Sequence, residues 1–239
     1  MESKFSFTFK NLENYYIKAL SNGYKFIQCY EYPDIKRKQN FGKIIVNRVD
    51  IDQSPQKAKR LLEIFNRLNI KATFFIRLHS DYYNPFSYEN YKIIKAIIES
   101  GHEIGYHSEI IDIATIWNEN AEECLKRDIE VFNKIFRVQI KGIASHGGRT
   151  GLNNLDFWKN SKPENFGMLY EAYDKEPGFN LFDESFYISD SSWTYWKCYD
   201  KGTIVSGDYR TFGEHIDTGH QLIYLLIHPE TYYDEHPYE

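Results

Sequence analysis

At 239 residues, with 42% hydrophobic and 17% aromatic side chains, the chain can bury a sizeable core as one large domain. A formal net charge of −5 and an isoelectric point near 5.9 argue against a nucleic-acid or anionic-membrane surface. There is also no run of about 18 apolar residues to span a membrane.

In chain order, Met1 is followed by Glu2, Ser3 and Lys4, with no apolar run long enough for a signal peptide. Leu12 to Leu20 has helical spacing and ends at Asn22-Gly23. Tyr24 to Tyr30 reads as a short strand, followed by a polar loop to Gly42 that holds the basic run Lys36, Arg37 and Lys38. Ile44 to Val49 is a β-branched strand with Asp50 and Asp52 at its carboxyl end, two apart and able to face one side. Ser54 and Pro55 then start a helix whose apolar face is Ala58, Leu61, Leu62, Phe65 and Leu68. Asn69 closes it, and Ala72 to Ile76 is the next strand.

A loop follows, His79 to Ser87, then a helix from Tyr88 to Ser100 stopped by Gly101. His102 to His107 reads as a short strand, and a longer helix runs from about Asn118 to Phe136. The strand Ile140 to Ser145 ends on His146, within SHGGR. The pattern weakens from Asn153 to Gly178, where Asp156 to Asn160 makes at most one helical turn. Phe186 to Ser189 is a strand ending on Asp190, Thr203 to Ser206 is another, and Gln221 to Ile227 ends on His228-Pro229. Alternating strands and helices imply an α/β architecture with a mainly parallel sheet, and the number of units fits a distorted barrel better than an open sheet. No composition shift marks a boundary, so residues 1–43 are an N-terminal embellishment of a single domain spanning 1–239. Cys29, Cys124 and Cys198 are odd in number, far apart and without CxxC spacing, which reads as reduced, buried thiols in a cytoplasmic protein.

Five predicted strands thus end on Asp50/Asp52, His107, His146, Asp190 and His228, and parallel strands would bring those ends to one rim. Carboxylate with imidazoles is a ligand set for zinc or a similar divalent ion, with a second carboxylate as general base and a histidine as general acid. Taken singly, an Asp after a strand is more often a turn or cap residue, and a strand-end His more often a hydrogen-bonded one. Coincidence at five strand ends favours function. By alternation His102 is structural, while His79, His215, His220 and His236 carry no pattern.

The stretch D-x-S-P from Asp52 to Pro55, the A-T-F-F of Ala72 to Phe75, and Gly101 to Ser108 (GHEIGYHS) resemble the polysaccharide deacetylases, carbohydrate esterase family 4. EYPD at 31–34, RVDID at 48–52, SDYYN at 80–84 and IHPE at 227–230 resemble a cytoplasmic branch associated with surface-polysaccharide biosynthesis. The resemblance implies a distorted (β/α) barrel of about seven parallel strands. It also implies one divalent ion, commonly zinc, and removal of N- or O-linked acetyl groups from sugars. Carried over, Asp52 and His107 are metal ligands, His228 protonates the leaving group, and Asp190 with Trp193 lines the substrate groove and orients catalytic groups. Three positions depart from the family: Ile51 stands where the base is expected, Ile111 where the second metal histidine is, and Val49 where the branch has His. Asp50 then substitutes as base and His146 as third ligand, ahead of Glu109 and Asp112. Arg149 is the counterpart of the arginine that holds the base, with Arg48 as the alternative and otherwise a substrate-binding residue. The expected activity is metal-dependent deacetylation of an acetylated sugar or a nucleotide- or lipid-linked sugar. Its rivals are a catalytically degenerate member that binds a glycan or a partner, and a hydrolase or lyase acting on another bond.

Overall fold

The computed structural model describes residues 6–38 and 42–235. The readings at Met1 to Lys4 and at His236 lie outside the described residues. The strands are β1 Lys25–Ile27, β2 Ile44–Ile51, β3 Thr73–Ile76, β4 Glu103–Ser108, β5 Gly142–Ser145, β6 Tyr170–Glu171, β7 Phe186–Ser189, β8 Lys197–Asp200, β9 Thr203–Ile204 and β10 Leu222–Ile227. The helices are α1 Phe9–Ser21, α2 Tyr32–Lys36, α3 Pro55–Leu68, α4 Tyr88–Glu99, α5 Ile110–Trp117, α6 Ala121–Phe136, α7 Leu181–Glu184 and α8 Phe212–His215.

The sheet order is β6-β5-β4-β3-β2-β10-β7-β8-β9. The first seven strands of that path are parallel, and β8 and β9 add an antiparallel edge. The fold is α/β with a mainly parallel sheet. Among the described residues no backbone pairing joins β6 to the other edge, but side chains reach across: Tyr224 on β10 donates to the Ala172 carbonyl (3.2 Å), and the Tyr173 and Tyr187 hydroxyls are 3.1 Å apart. Strand β2 is central, with β1 and then β3 on one side and β10 on the other, which is why every residue in it is buried.

Alternation along β2 divides its side chains between two cores. Ile45, Val49 and Ile51 join the core that includes the α3 residues Ala58, Leu61 and Phe65. Ile44 and Val46 join the opposite core with Phe75, Tyr170 and Tyr224, so Arg48, Asp50 and Asp52 follow on that face. Helix α3 begins as its sequence dictates: the Ser54 hydroxyl accepts from the Lys57 N–H (3.2 Å), Pro55 opens the helix, and Asn69 ends it in the left-handed region at φ 53°. Gly105 lets β4 pack closely, since a Cβ there would lie 2.5 Å from the Phe75 ring and 2.8 Å from the Gly142 carbonyl.

Several elements differ from the sequence reading. The strand read over Tyr24 to Tyr30 is only β1, because Cys29–Glu31 turn into a 3₁₀ helix. The loop read up to Gly42 contains α2, whose Pro33 sits in its first turn. Helix α5 follows β4 almost without a turn, so its apolar run Ile110, Ile111, Ile113 gave no boundary signal. Strand β6 is two residues long within the weakly patterned stretch from Asn153 to Gly178, and β8, four residues long, lies between the strands read at Phe186 to Ser189 and Thr203 to Ser206.

Candidate active site

The carboxyl end of β2 places Asp50 and Asp52 on the inner face, and β4, β5 and β10 deliver His107, His146 and His228 to the same place. Asp52 is the meeting point. His107 Nε2 stands 3.2 Å from its Oδ1, His146 Nε2 3.7 Å from its Oδ2 and His228 Nε2 3.9 Å from its Oδ2. His107 Nε2 is also 3.3 Å from Asp50 Oδ2. Ile51 points the other way, into the helix-side core.

Each of these groups is oriented by a buried partner. Arg48, 1% exposed, donates through Nε (2.8 Å) and Nη2 (2.7 Å) to the two oxygens of Asp50 and through Nη1 to the Tyr224 hydroxyl (3.2 Å), with its guanidinium 4.7 Å from the Tyr173 ring centre. His228 Nδ1 lies 2.6 Å from Asp190 Oδ1, and the His228 N–H donates to both Asp190 oxygens. His146 Nδ1 is 3.5 Å from Glu109, whose carboxylate is clamped by Arg77 Nη2 (2.6 Å) and Nε (3.2 Å). Arg77 and Ser80 also donate to the Asp52 carbonyl.

His107 decides what the rim can hold. Its Nδ1 donates to the Ala144 carbonyl (2.9 Å), so a neutral ring aims the Nε2 lone pair at Asp50 and Asp52. Asp52 Oδ1 is buried and makes no hydrogen bond. Acceptors facing each other in a buried site call for a cation between them, a metal ion or a second ring proton. One carboxylate and two imidazoles are the donor types that zinc or a similar divalent ion takes, although their ligand atoms do not all lie within 4.8 Å of one another.

Partners rather than solvent hold the charge here. Burial works against ionised Asp52, yet the His107 and His146 imidazoles beside it keep it well below the usual carboxylate range. Burial opposes Asp50 likewise, and Arg48, then His107, overcome it and hold it low. Burial pulls His228 down, but Asp190 first, with Asp52 and Asp50, lifts it to about 10. His146 is lifted to about 9 against burial by Asp52 and Glu109.

Other residues singled out from the sequence fall elsewhere. The Arg149 guanidinium is more than half exposed and pairs with Asp81 (2.5 Å); the arginine gripping Asp50 is Arg48, buried beneath it rather than open to a substrate. The expectation for Arg149 rested on loop position, and the loop turns its side chain outward. Asp112 accepts from the N–H groups of Arg149 and Thr150 and from Asn154, so it anchors that loop. Ile111 packs against the core. Trp193, 41% exposed at φ 64°, donates its N–H to the Asp190 carbonyl. His102 is buried and accepts from the Ala72 N–H (3.1 Å), whereas His215 is wholly buried beside Cys198 and Asp208, contrary to the polar surroundings its sequence suggests.

A cleft of about 1070 Å³ is lined, among others, by Trp158, Glu171, Tyr173, Tyr187, Ser191 and Tyr199, with none of the rim histidines or aspartates in its wall. It adjoins the rim through Tyr173, which packs on Arg48, and Ser191, which follows Asp190.

Residues 42–160 match the family model described as polysaccharide deacetylase. This is a polysaccharide-deacetylase-like chain. Solved structures similar to it include the chitin deacetylase from the fungal pathogen Colletotrichum lindemuthianum, at 20% identity and TM-score 0.34, covering 42% of this chain and 45% of that one. Another is Streptococcus pyogenes deacetylase PplD in complex with acetate, at 14% identity and TM-score 0.46, covering 62% of this chain and 66% of that one. The catalytic domain of peptidoglycan N-acetylglucosamine deacetylase from Eubacterium rectale is similar at 18% identity and TM-score 0.49, covering 81% and 79%. This chain therefore spans less than two thirds of the length of the first two. A comparison with curated proteins finds no match. Among the described residues, no helix is long and apolar enough to cross a membrane.

Proposed function

We propose that this chain is a metal-dependent hydrolase that removes an N- or O-linked acetyl group from a sugar or sugar conjugate. The observation that carries the reading is the cation-demanding contact between His107 Nε2 and the unpartnered, buried Oδ1 of Asp52. Asp52, His107 and His146 would hold the ion, most simply zinc. Such an ion supplies Lewis acidity, polarising an acetyl carbonyl and acidifying water.

The side chains do the rest. Asp50, kept ionised and aimed by Arg48, takes a proton from the water that adds to the acetyl carbon. His228, kept protonated by Asp190, gives its proton to the departing nitrogen or oxygen as the carbon–nitrogen or carbon–oxygen bond breaks. Acetate and a free sugar amine or hydroxyl result, and a proton returned from Asp50 to His228 through solvent resets the pair. The aromatic cleft beside the rim suits stacking of sugar rings. An acetylated precursor of a surface polysaccharide, met in the cytoplasm, is the substrate setting the sequence resemblance supports.

Ile51 and Ile111 favour a second reading, a member that binds a glycan without turnover. Acetate release from N-acetylated and O-acetylated sugars by zinc-loaded protein separates the two. Turnover that falls at least a hundredfold in Asp50→Asn and His228→Gln supports hydrolysis. Metal-loaded protein that releases no acetate from any such substrate leaves only binding.

A further inference from the structure

Among the described residues, the one group of three His, Cys, Asp or Glu ligand atoms lying mutually within 4.8 Å is Cys198, Asp208 and His215. It lies at the antiparallel edge of the sheet, and the charged neighbours of His215 are Asp208, Arg210, Glu214 and His220 rather than any rim group. Cys198 Sγ is 3.3 Å from His215 Nε2, which is 3.5 Å from Asp208 Oδ1. A tetrahedral zinc, with bonds of about 2.3 Å to sulfur and about 2.0–2.1 Å to nitrogen or oxygen, separates its ligand atoms by about 3.3–3.6 Å. Two of the three separations thus match what such an ion requires, and the third lies within 4.8 Å.

A ring proton on Nε2 serves either the sulfur or the carboxylate and leaves the thiol proton for the other contact, whereas one cation between them meets all three at once. The sulfur and the imidazole are buried, at 1% and 0% exposure, and already point at each other. Arg210 grips Asp208 through its backbone N–H (3.1 Å) and Nε (3.0 Å) on Oδ1 and through Nη2 (2.7 Å) on Oδ2, which fixes the carboxylate, offsets its charge and leaves Oδ2 the oxygen with a lone pair to spare. A polar groove lined by Ser206, Gly207, Tyr209 and Glu214 gives solvent access to Asp208.

We propose that Cys198, Asp208 and His215 form a second metal site, one that takes a tetrahedral divalent ion such as zinc through a thiolate, an imidazole and a carboxylate, with water in the fourth position. Its role is structural. It ties β8 to α8, which in turn packs on α1 through Phe212 against Tyr16 (5.6 Å between ring centres).

Cobalt(II) reports this site separately from the rim, because Asp52, His107 and His146 include no sulfur. Titrating chelator-stripped full-length protein with cobalt should raise a near-ultraviolet thiolate-to-cobalt charge-transfer band. That band should be absent in Cys198→Ser, and its half-saturation should move at least tenfold higher in Asp208→Asn, whose side chain reaches the surface and whose folding circular dichroism checks. A wild type with no such band, a band that survives Cys198→Ser, or an unchanged titration in folded Asp208→Asn would overturn the proposal. None of these outcomes depends on acetate release, so a failure here is distinct from a failure of the hydrolase reading.

Discussion

Replacing Arg48 by Met tests how the proposed base is held. Arg48 and Asp50 are 1% and 2% exposed, and two charge-assisted hydrogen bonds of 2.8 and 2.7 Å join them. Methionine fills much of the same volume beside Phe75 and Tyr173, so the loss is mainly electrostatic. Removing one partner of a buried pair leaves an uncompensated charge and costs about 3–5 kcal/mol, out of a total stability of about 5–15 kcal/mol. Adding Asp50→Asn to Arg48→Met removes that charge and should return at least about 2 kcal/mol, a non-additivity expected of residues in direct contact. Urea unfolding with chelator present, read as a change of midpoint at constant slope, measures both. The deficit of the single variant should also shrink as pH falls, because without Arg48 burial raises the Asp50 pKa and protonation relieves the buried charge. A cost below about 1 kcal/mol, or no recovery on adding Asp50→Asn, would refute the reasoning.

Glu103 carries a pH dependence far from the rim: burial pushes its carboxyl up to about 7 from 4.5, against donors from Thr73, Tyr30 and Tyr170. The unfolded chain loses this proton first, so stability present below about pH 4.5 is lost as pH rises through about 7, by about 3 kcal/mol in all. Glu103→Gln should therefore raise the melting temperature at pH 8 but not at pH 4, and parallel profiles for the two proteins would contradict this. Asp190→Asn removes the main influence lifting His228 to about 10, so the alkaline limb of kcat/KM for acetate release should move toward neutral pH; an unmoved limb would take the acid role away from His228. Gly105→Ala should cost about 1–3 kcal/mol in thermal unfolding, because its Cβ would meet Phe75 and the Gly142 carbonyl inside contact distance, and a neutral result would show that β4 can shift.

The convergence of Asp50, Asp52, His107, His146 and His228 was legible because strand ends are. Period-two alternation orders side chains by face, and parallel strands bring carboxyl ends together. The same alternation puts Arg48 on the face of Asp50, yet its pairing there is a tertiary fact, set by which buried charges the fold brings within reach. Arg149 shows the opposite limit, since nothing periodic in SHGGRTG fixes where the loop sends a side chain. The Glu109–Arg77 clamp joins the residue after β4 to the residue after β3, and Cys198 on β8 meets His215 at the end of α8, seventeen positions on and past β9. Neither spacing carries a local signal. The parallel sheet followed from the strand–helix rhythm, while α5, β6 and β8 escaped because each lacks either a boundary residue or the length to show a period.

The most direct test of the account is metal content at the rim, measured by elemental analysis in a Cys198→Ser background so that only Asp52, His107 and His146 are counted. The protein is purified without a histidine tag and dialysed after zinc is added. The account predicts close to one equivalent retained, falling to background in Asp52→Ala and in His107→Ala and reduced at least tenfold in affinity in His146→Ala. No retained metal in the folded background protein, or an equivalent that persists in folded Asp52→Ala, would contradict it.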